Sequence, residues 1–289
     1  LAAAPARQSR LGAILELAKP RILLSILLTA MAGFAVASLG PIDKVFLLHM
    51  SVGILLLGAG VGALNQYFER ESDKLMRRTE KRPLPSGRVS ATTAKLFGAA
   101  TSVAGIIYLA IFINILSGLL AIATLVSYLF MYTPLKRRTP MSTVIGAFPG
   151  AMPPVIGWVA VTGRITIEPV VLFAIMFLWQ FPHFLAIAWM YREDYSRAGI
   201  KMLPVIDPDG RATGRQMVIN ALALVPVSVM PSVLGMAGVV YFFTALALSL
   251  FYLYCSYRAA VVRTGQQARR LMQASLIYPP LLFLIMLLD

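Results

Sequence analysis

The chain of 289 residues is 58% hydrophobic and only 13% charged, with a mean hydropathy of +0.77, whereas an average soluble domain carries about 25% charged residues. A formal net charge of +14 would suit a nucleic-acid partner, but the basic residues sit in short connections between apolar runs, which reads as membrane topology and no nucleic acid. The single cysteine, Cys255, cannot make an internal disulfide, no Cys/His spacing of the metal-binding kind is present, and its apolar surroundings mark it as a buried bystander.

The opening residues, LAAAPARQSR, lack the apolar core of a secretory signal, and residues 1–16 read as a flexible amino-terminal arm. Nine stretches then supply the roughly 20 apolar residues that a spanning helix needs: about 22–39, 45–68, 94–112, 115–133, 141–162, 168–190, 216–234, 237–256 and 272–288. Polar Asn114 and its neighbours separate the third from the fourth and "GMAG" the seventh from the eighth, so these are tight antiparallel pairs. Lipid accepts only helices or closed barrels, and continuous apolar runs of this length make poor strands. The predicted fold is therefore an all-α polytopic membrane protein, with nine transmembrane helices in a bundle around a central cavity open to the cytosolic face, in one domain over residues 1–289.

Counted by connection, 24 of the 26 Lys and Arg residues fall on one side of the membrane, and only Lys44 and Arg164 on the other. By the positive-inside rule the amino terminus is cytoplasmic (or matrix-facing) and the carboxyl terminus lies opposite. The two connections richest in acids, after the second and sixth spans, open on the same face, where they can share one site.

In the first of these, Asn65, Glu69 and Asp73 are spaced four apart and drift only about 40° per step around a helix, forming one polar stripe. Oxygen ligands so arranged suit Mg²⁺, which takes one or two carboxylates together with phosphate oxygens and water. A membrane-proximal polar cap, with ion pairs to Arg70, Lys74 and Arg77, is the alternative on spacing alone. Glu71 points elsewhere on an ideal helix. Downstream, "RRTEKRPLPSGR" offers Arg77, Arg78, Lys81, Arg82 and Arg88 in a proline-stiffened loop suited to gripping phosphate.

The sixth span ends "FLWQFPHFLAIAWMYREDYSRAGIKMLPVIDPDG", with Gln180 and His183 inside the boundary and Arg192, Glu193, Asp194, Arg197 and Lys201 at the interface. Intramembrane polar groups point by default to a pathway or site, although His183 is equally suited to packing. Asp207 and Asp209 have the look of turn chemistry. Between these segments, "YTPLKRRTPMSTVIG" brings Lys136, Arg137 and Arg138, which offer counter-charge to an anionic substrate or to lipid headgroups. Tyr128 and Tyr132 share a helix side and read as an interfacial belt, or as rings that shelter a carbocation.

The strings "NQYFERESDKLMRRTEKRPLPSG", "YTPLKRRTPMSTVIGAFPGAMPPVIGW" and "WQFPHFLAIAWMYREDYSRAGIKMLPV" resemble the protoheme IX farnesyltransferases (haem O synthases) of the intramembrane prenyltransferase superfamily, from about Leu17 to at least Val205. The resemblance implies Mg²⁺ held by Asn65, Glu69, Asp73 and Asp194, which would be the catalytic set. It implies diphosphate binding by Lys74, Arg77, Arg78, Lys81, Arg82, Lys136, Arg137, Arg192 and Arg197, and a haem and prenyl pocket from Tyr67, Tyr128, Tyr132, Gln180 and His183. Farnesyl diphosphate and protoheme IX would be the substrates, haem O for terminal oxidase assembly the product, and a bacterial or mitochondrial inner membrane the location. Downstream haem-modifying or oxidase-assembly proteins would be partners. Two positions depart from the pattern. Where the superfamily commonly has a second aspartate four residues on, Asp194 is followed by Ala198, leaving adjacent Glu193 to help; and Lys201 stands where the haem branch usually has an uncharged residue. Of the two histidines, His183 is the candidate axial ligand, since His49 falls near the face opposite the acids.

An aromatic acceptor such as 4-hydroxybenzoate is the rival within the enzyme class. A secondary transporter is the rival outside it, and would spread polar groups through the bilayer depth with some repeat symmetry. Here they concentrate at one face.

Overall fold

The computed structural model describes residues 10–38 and 40–289. Among them nine helices are long and apolar enough to cross a membrane: Pro20–Ala37, Lys44–Asp73, Ala91–Phe112, Ile115–Leu135, Ser142–Thr162, Ile167–Met190, Arg211–Val233, Val239–Val262 and Gly265–Leu288, here called spans one to nine. Side-chain caps start several of them. Asp43 accepts from the amides of Val45 and Phe46 at 2.9 and 3.0 Å, Ser90 from Thr93 at 3.1 Å, and Asn114 from Ser117 at 2.8 Å. Asn114 also donates to the Val159 carbonyl at 2.9 Å, tying the start of span four to the end of span five.

Each span touches the next in sequence, and the ninth returns to the first, so the bundle closes into a ring. Contacts of span one with span five and of span six with span nine pinch the ring across its middle. The two largest parts of the apolar core lie one around Phe34, Met50 and Ile156 and the other around Leu172, Leu224 and Tyr252, with smaller clusters around Leu17 and around Met76. Span five is the most enclosed helix, carrying Pro149, Pro153 and Pro154 inside it. Its Gly157 has no room for a side chain: a Cβ there would lie 1.9 Å from the Ala30 carbonyl oxygen, so glycine sets how closely spans one and five approach.

Several boundaries differ from the sequence expectation, among them span seven, which starts at Arg211, and span eight, which runs on to Val262. Residues 10–16 belong to a helix, Arg10–Leu17, whose Ala13 and Leu17 are buried against Ala63 and Leu84, so this part of the expected arm is docked; residues 1–9 of that arm lie outside the described residues. Span two runs on to Asp73, keeping the whole acidic stripe helical. Span nine starts at Gly265 because Thr264 caps it there, and its polar first turns extend beyond the apolar stretch. Span four contains a π-helical turn over Ser127–Tyr132, next to Pro134, which lacks the N–H and the clearance that a regular α-turn requires.

Candidate active site

On the last turns of span two, Asn65 and Asp73 are buried, at 1% and 0% exposure, and the side chain of Glu69 is 13% exposed. Every member of the stripe meets a cation from a different connection. Lys19 Nζ donates to Asn65 Oδ1 at 2.6 Å, Lys136 Nζ to Glu69 Oε1 at 2.6 Å, and Arg82 Nη1 to Asp73 Oδ2 at 2.8 Å. Asp73 Oδ1 and Asn65 Nδ2 are buried with no hydrogen-bond partner. Glu71 faces outward at 62% exposure and pairs with Arg70 and Lys74, so it has a surface role.

Enclosure away from water, then the guanidinium of Arg82, draw the Lys19 pKa down to about 7 against the pull of Glu69. For Lys136 burial works in the same direction, but the Glu69 carboxylate and the hydroxyls of Tyr132 and Tyr128 outweigh it, and its pKa stands well above the ordinary 10.5. Lys19 is the residue that sequence reasoning missed. It was legible only as one of four basic residues before the first span, although a lysine directly before the proline that opens a helix is a local signal.

The second acidic segment folds onto the first. Asp194 is buried in the short helix Arg192–Arg197; it pairs with Arg197 and accepts from the backbone amide of Arg78 at 3.4 Å. Arg78 donates to the Tyr195 hydroxyl at 2.6 Å and lies over the rings of Tyr191 and Tyr195. The amide of Lys201 donates to the Lys136 carbonyl at 2.8 Å, which fastens the connection after span six to that after span four. Ala198 is buried, and Glu193 lines an outer concavity with Arg77, Arg192 and Trp189. Among the described residues no three His, Cys, Asp or Glu side chains gather into one metal-holding group, and Asp194 lines the outer concavity beside Glu193 rather than adjoining Glu69 and Asp73.

Beneath the stripe lies a cavity of about 310 Å³, walled by apolar side chains of spans one, two, five and six and by Tyr128, Tyr132, Gln180 and Lys19. That is the lower end of the size range of ligand cavities, about 300–1,000 Å³. Both tyrosines come from the π-helical turn, with ring centroids 5.3 Å apart, and the Lys136 ammonium sits 4.2 Å from the Tyr132 centroid. Gln180 donates to the carbonyls of Ala147 and Met176 and packs against Gly150, where a Cβ would lie 2.0 Å from its Oε1. A second, more open concavity of about 440 Å³ holds Glu69, Lys136, Arg137 and Arg138.

Several expected residues lie elsewhere. His183 is not in the cavity wall. Pro279 leaves the Ser275 carbonyl without its helical donor, Trp179 Nε1 fills that place at 2.9 Å, and His183 stacks on Trp179 and pairs with Ser275 Oγ at 2.6 Å, so it serves the packing of span six on span nine. Tyr67 packs with Leu84 and Val89 under Arg70, away from the cavity. Lys74 is held by Glu71, and Lys81 is exposed. Arg192 lies over Trp189 at the outer concavity. His49 pairs with Tyr108 and stacks on Phe112, outside the cavity. Cys255 is a free, half-buried thiol.

A paired arrangement of acids and bases above an apolar cavity in a nine-span bundle is matched by a described family: residues 26–285 fit the UbiA prenyltransferase family. The chain belongs to that family. A UbiA-family relative from Solibacter usitatus, named protoheme IX farnesyltransferase, is 52% identical over 284 residues, covering 95% of this chain and 97% of the relative. Among solved structures of the fold, a digeranylgeranylglyceryl phosphate synthase superposes with a TM-score of 0.81 at 20% identity, covering 96% of this chain and 98% of that one. A UbiA homologue from Archaeoglobus fulgidus bound to GPP and Mg²⁺ superposes with a TM-score of 0.66 at 17% identity, covering 92% and 99%. The chain is thus a multi-pass membrane protein with the UbiA fold.

Proposed function

We propose that this protein transfers a farnesyl group from farnesyl diphosphate to a vinyl group of protoheme IX, giving haem O, in the manner named for its relatives. The observation that carries the reading is the stripe of Asn65, Glu69 and Asp73, matched by cations and set directly over an apolar cavity. Such a site suits a substrate with a charged diphosphate head and a hydrocarbon tail.

The donor set fits Mg²⁺: it is all oxygen, and Asp73 Oδ1 is a buried carboxylate oxygen with no partner. Asn65, Glu69 and Asp73 would hold the ion, with Asp194 contributing from the second segment. Magnesium, when bound, supplies Lewis-acid stabilisation of the leaving diphosphate. Arg82 and Lys136, now engaged with the acids, would turn to the diphosphate oxygens. Arg77, Arg78, Arg137, Arg192 and Arg197 would add to the positive field around the mouth.

As the bond from the first prenyl carbon to oxygen breaks, its electron pair leaves with the diphosphate, and the Tyr128 and Tyr132 rings face the allylic cation. The vinyl π pair of protoheme forms the new carbon–carbon bond. The cation left beside the porphyrin takes up water and loses a proton to give the hydroxyethylfarnesyl group. Orientation follows the charge count, with the amino terminus and this site on the cytoplasmic or matrix side.

The test is purified protein with haem b, farnesyl diphosphate and Mg²⁺, followed by mass spectrometry. Farnesylated haem is expected. Unmodified haem alongside a prenylated aromatic acid would move the acceptor to the aromatic class.

A further inference from the structure

The prenyl-transfer reading leaves Lys19 without a task, although its geometry is unusual. Its backbone has φ 52° and ψ 63°, the left-handed region, where a residue with a side chain is strained. Pro20 adds to the strain, because the residue before a proline favours extended backbone. Neighbouring contacts hold the chain in this shape. Arg88 grips Glu16 at 2.7 and 3.1 Å, Gln66 Nε2 donates to the Leu17 carbonyl at 3.0 Å, and Leu17 itself is fully buried. The helix Arg10–Leu17 is thereby fixed immediately before the strained residue.

The strained turn sends one long cationic side chain to the top of the apolar cavity. Lys19 is the one charged residue among the described residues lining that cavity, and its Nζ reaches the stripe at Asn65. Arg82 and Lys136 serve the other two members of the stripe, and neither is part of the cavity wall.

We propose that Lys19 is a substrate-binding residue whose ammonium holds the diphosphate at the junction of stripe and cavity, where the oxygen attached to the first prenyl carbon must lie. The proposal rests on the prenyl-transfer reading. As that carbon–oxygen bond breaks, the oxygen keeps the electron pair and gains negative charge, and Lys19 is the cation beside it. A porphyrin propionate is the other oxyanion that a lysine could take here. The adjoining Glu69 and Asp73 carboxylates favour the diphosphate, since they would repel a carboxylate that brings no metal.

The test uses the full chain in detergent, with farnesyl thiolodiphosphate and Mg²⁺ as the binding probe and haem as a second, separate titration. Lys19→Gly deletes the cation and also relieves the left-handed strain, so K19G is expected to melt no lower than wild type. Its affinity for the analogue should nevertheless fall about tenfold or more, the scale of a lost charge-assisted hydrogen bond. Lys19→Arg, which keeps the charge, should stay within about threefold of wild type, and haem affinity should be unchanged in both. K19G that binds the analogue like wild type overturns the assignment. So does K19G that melts far below wild type, which would make Lys19 a structural cation, and so does loss of haem affinity with analogue affinity intact, which would give it to a propionate. A wild-type protein that ignores the analogue defeats the prenyl-transfer reading itself.

Discussion

Replacing Lys136 by methionine tests the electrostatic frame of the site. In the structure its ammonium lies 2.6 Å from Glu69 Oε1, with the two side chains only 15% and 13% exposed. Removing one partner of such a pair strands a charge and destabilises by about 3–5 kcal/mol, whereas replacing both is near neutral. Lys19 and Arg82 also act on Glu69, so the lower end, about 3 kcal/mol, is expected for K136M. Lys136→Met combined with Glu69→Gln should recover to within about 1 kcal/mol of wild type. The assay is reversible unfolding in mixed micelles for the two single variants and the double. A loss under about 1 kcal/mol for K136M, or a double variant that costs the full sum of the singles, would refute the buried-pair reasoning. The sign with pH also follows. The folded pKa of Lys136 is raised, so its contribution is fully present below the ordinary value of 10.5 and is lost only as pH rises through a value well above that. Between about pH 6 and 9 wild-type stability should owe no slope to this group.

Asp73→Asn removes the negative charge that Arg82 pairs with and leaves one side-chain oxygen where the carboxylate has two, and should lower kcat/KM for farnesyl diphosphate about a hundredfold, with a raised Mg²⁺ requirement; pyrophosphate release across a Mg²⁺ titration measures both. Gly150→Ala places a Cβ 2.0 Å from Gln180 Oε1 and pushes that side chain from its carbonyl partners, so farnesyl diphosphate should lose more than dimethylallyl diphosphate in competition turnover; equal losses would argue against a chain-binding cavity. Asp207 accepts from the amide and hydroxyl of Thr213 at 2.7 and 2.8 Å, and Asp207→Ala should cost about 1–2 kcal/mol with substrate affinity intact. Burial opposes the charge on Asp207, but the Thr213 bonds hold its pKa below the ordinary 3.8. Its stabilisation is therefore present above about pH 4 and lost as pH falls through the folded value, and D207A should flatten that acid limb in a stability-against-pH series.

The spans were legible because lipid demands long apolar helices, and the stripe because a four-residue spacing survives any small error in helix ends. The meeting of the two acidic connections followed from topology alone, and the Arg78 to Asp194 contact bears it out. Side-chain direction was harder to read. His183 and Gln180 are three residues apart on span six, yet one turns to span nine and the other to the cavity, a choice made by Pro279 and Gly150 on neighbouring helices. Lys19 was hidden by its own charge, since a basic residue before a first span satisfies the topology rule and asks for no further reason. Its left-handed backbone depends on contacts from Gln66 and Arg88, far along the chain.

The π-helical turn at Ser127–Tyr132 acts as a phase shifter. Relative to a regular helix, one wide turn inserts an extra residue and rotates everything after it by about 100°. Lys136 lies four residues past its end and reaches Glu69 with that offset in place. Deleting one residue from this turn would leave a more regular helix with its lysine aimed at a different neighbour, so the length of span four is constrained to the single residue on account of a partner on span two.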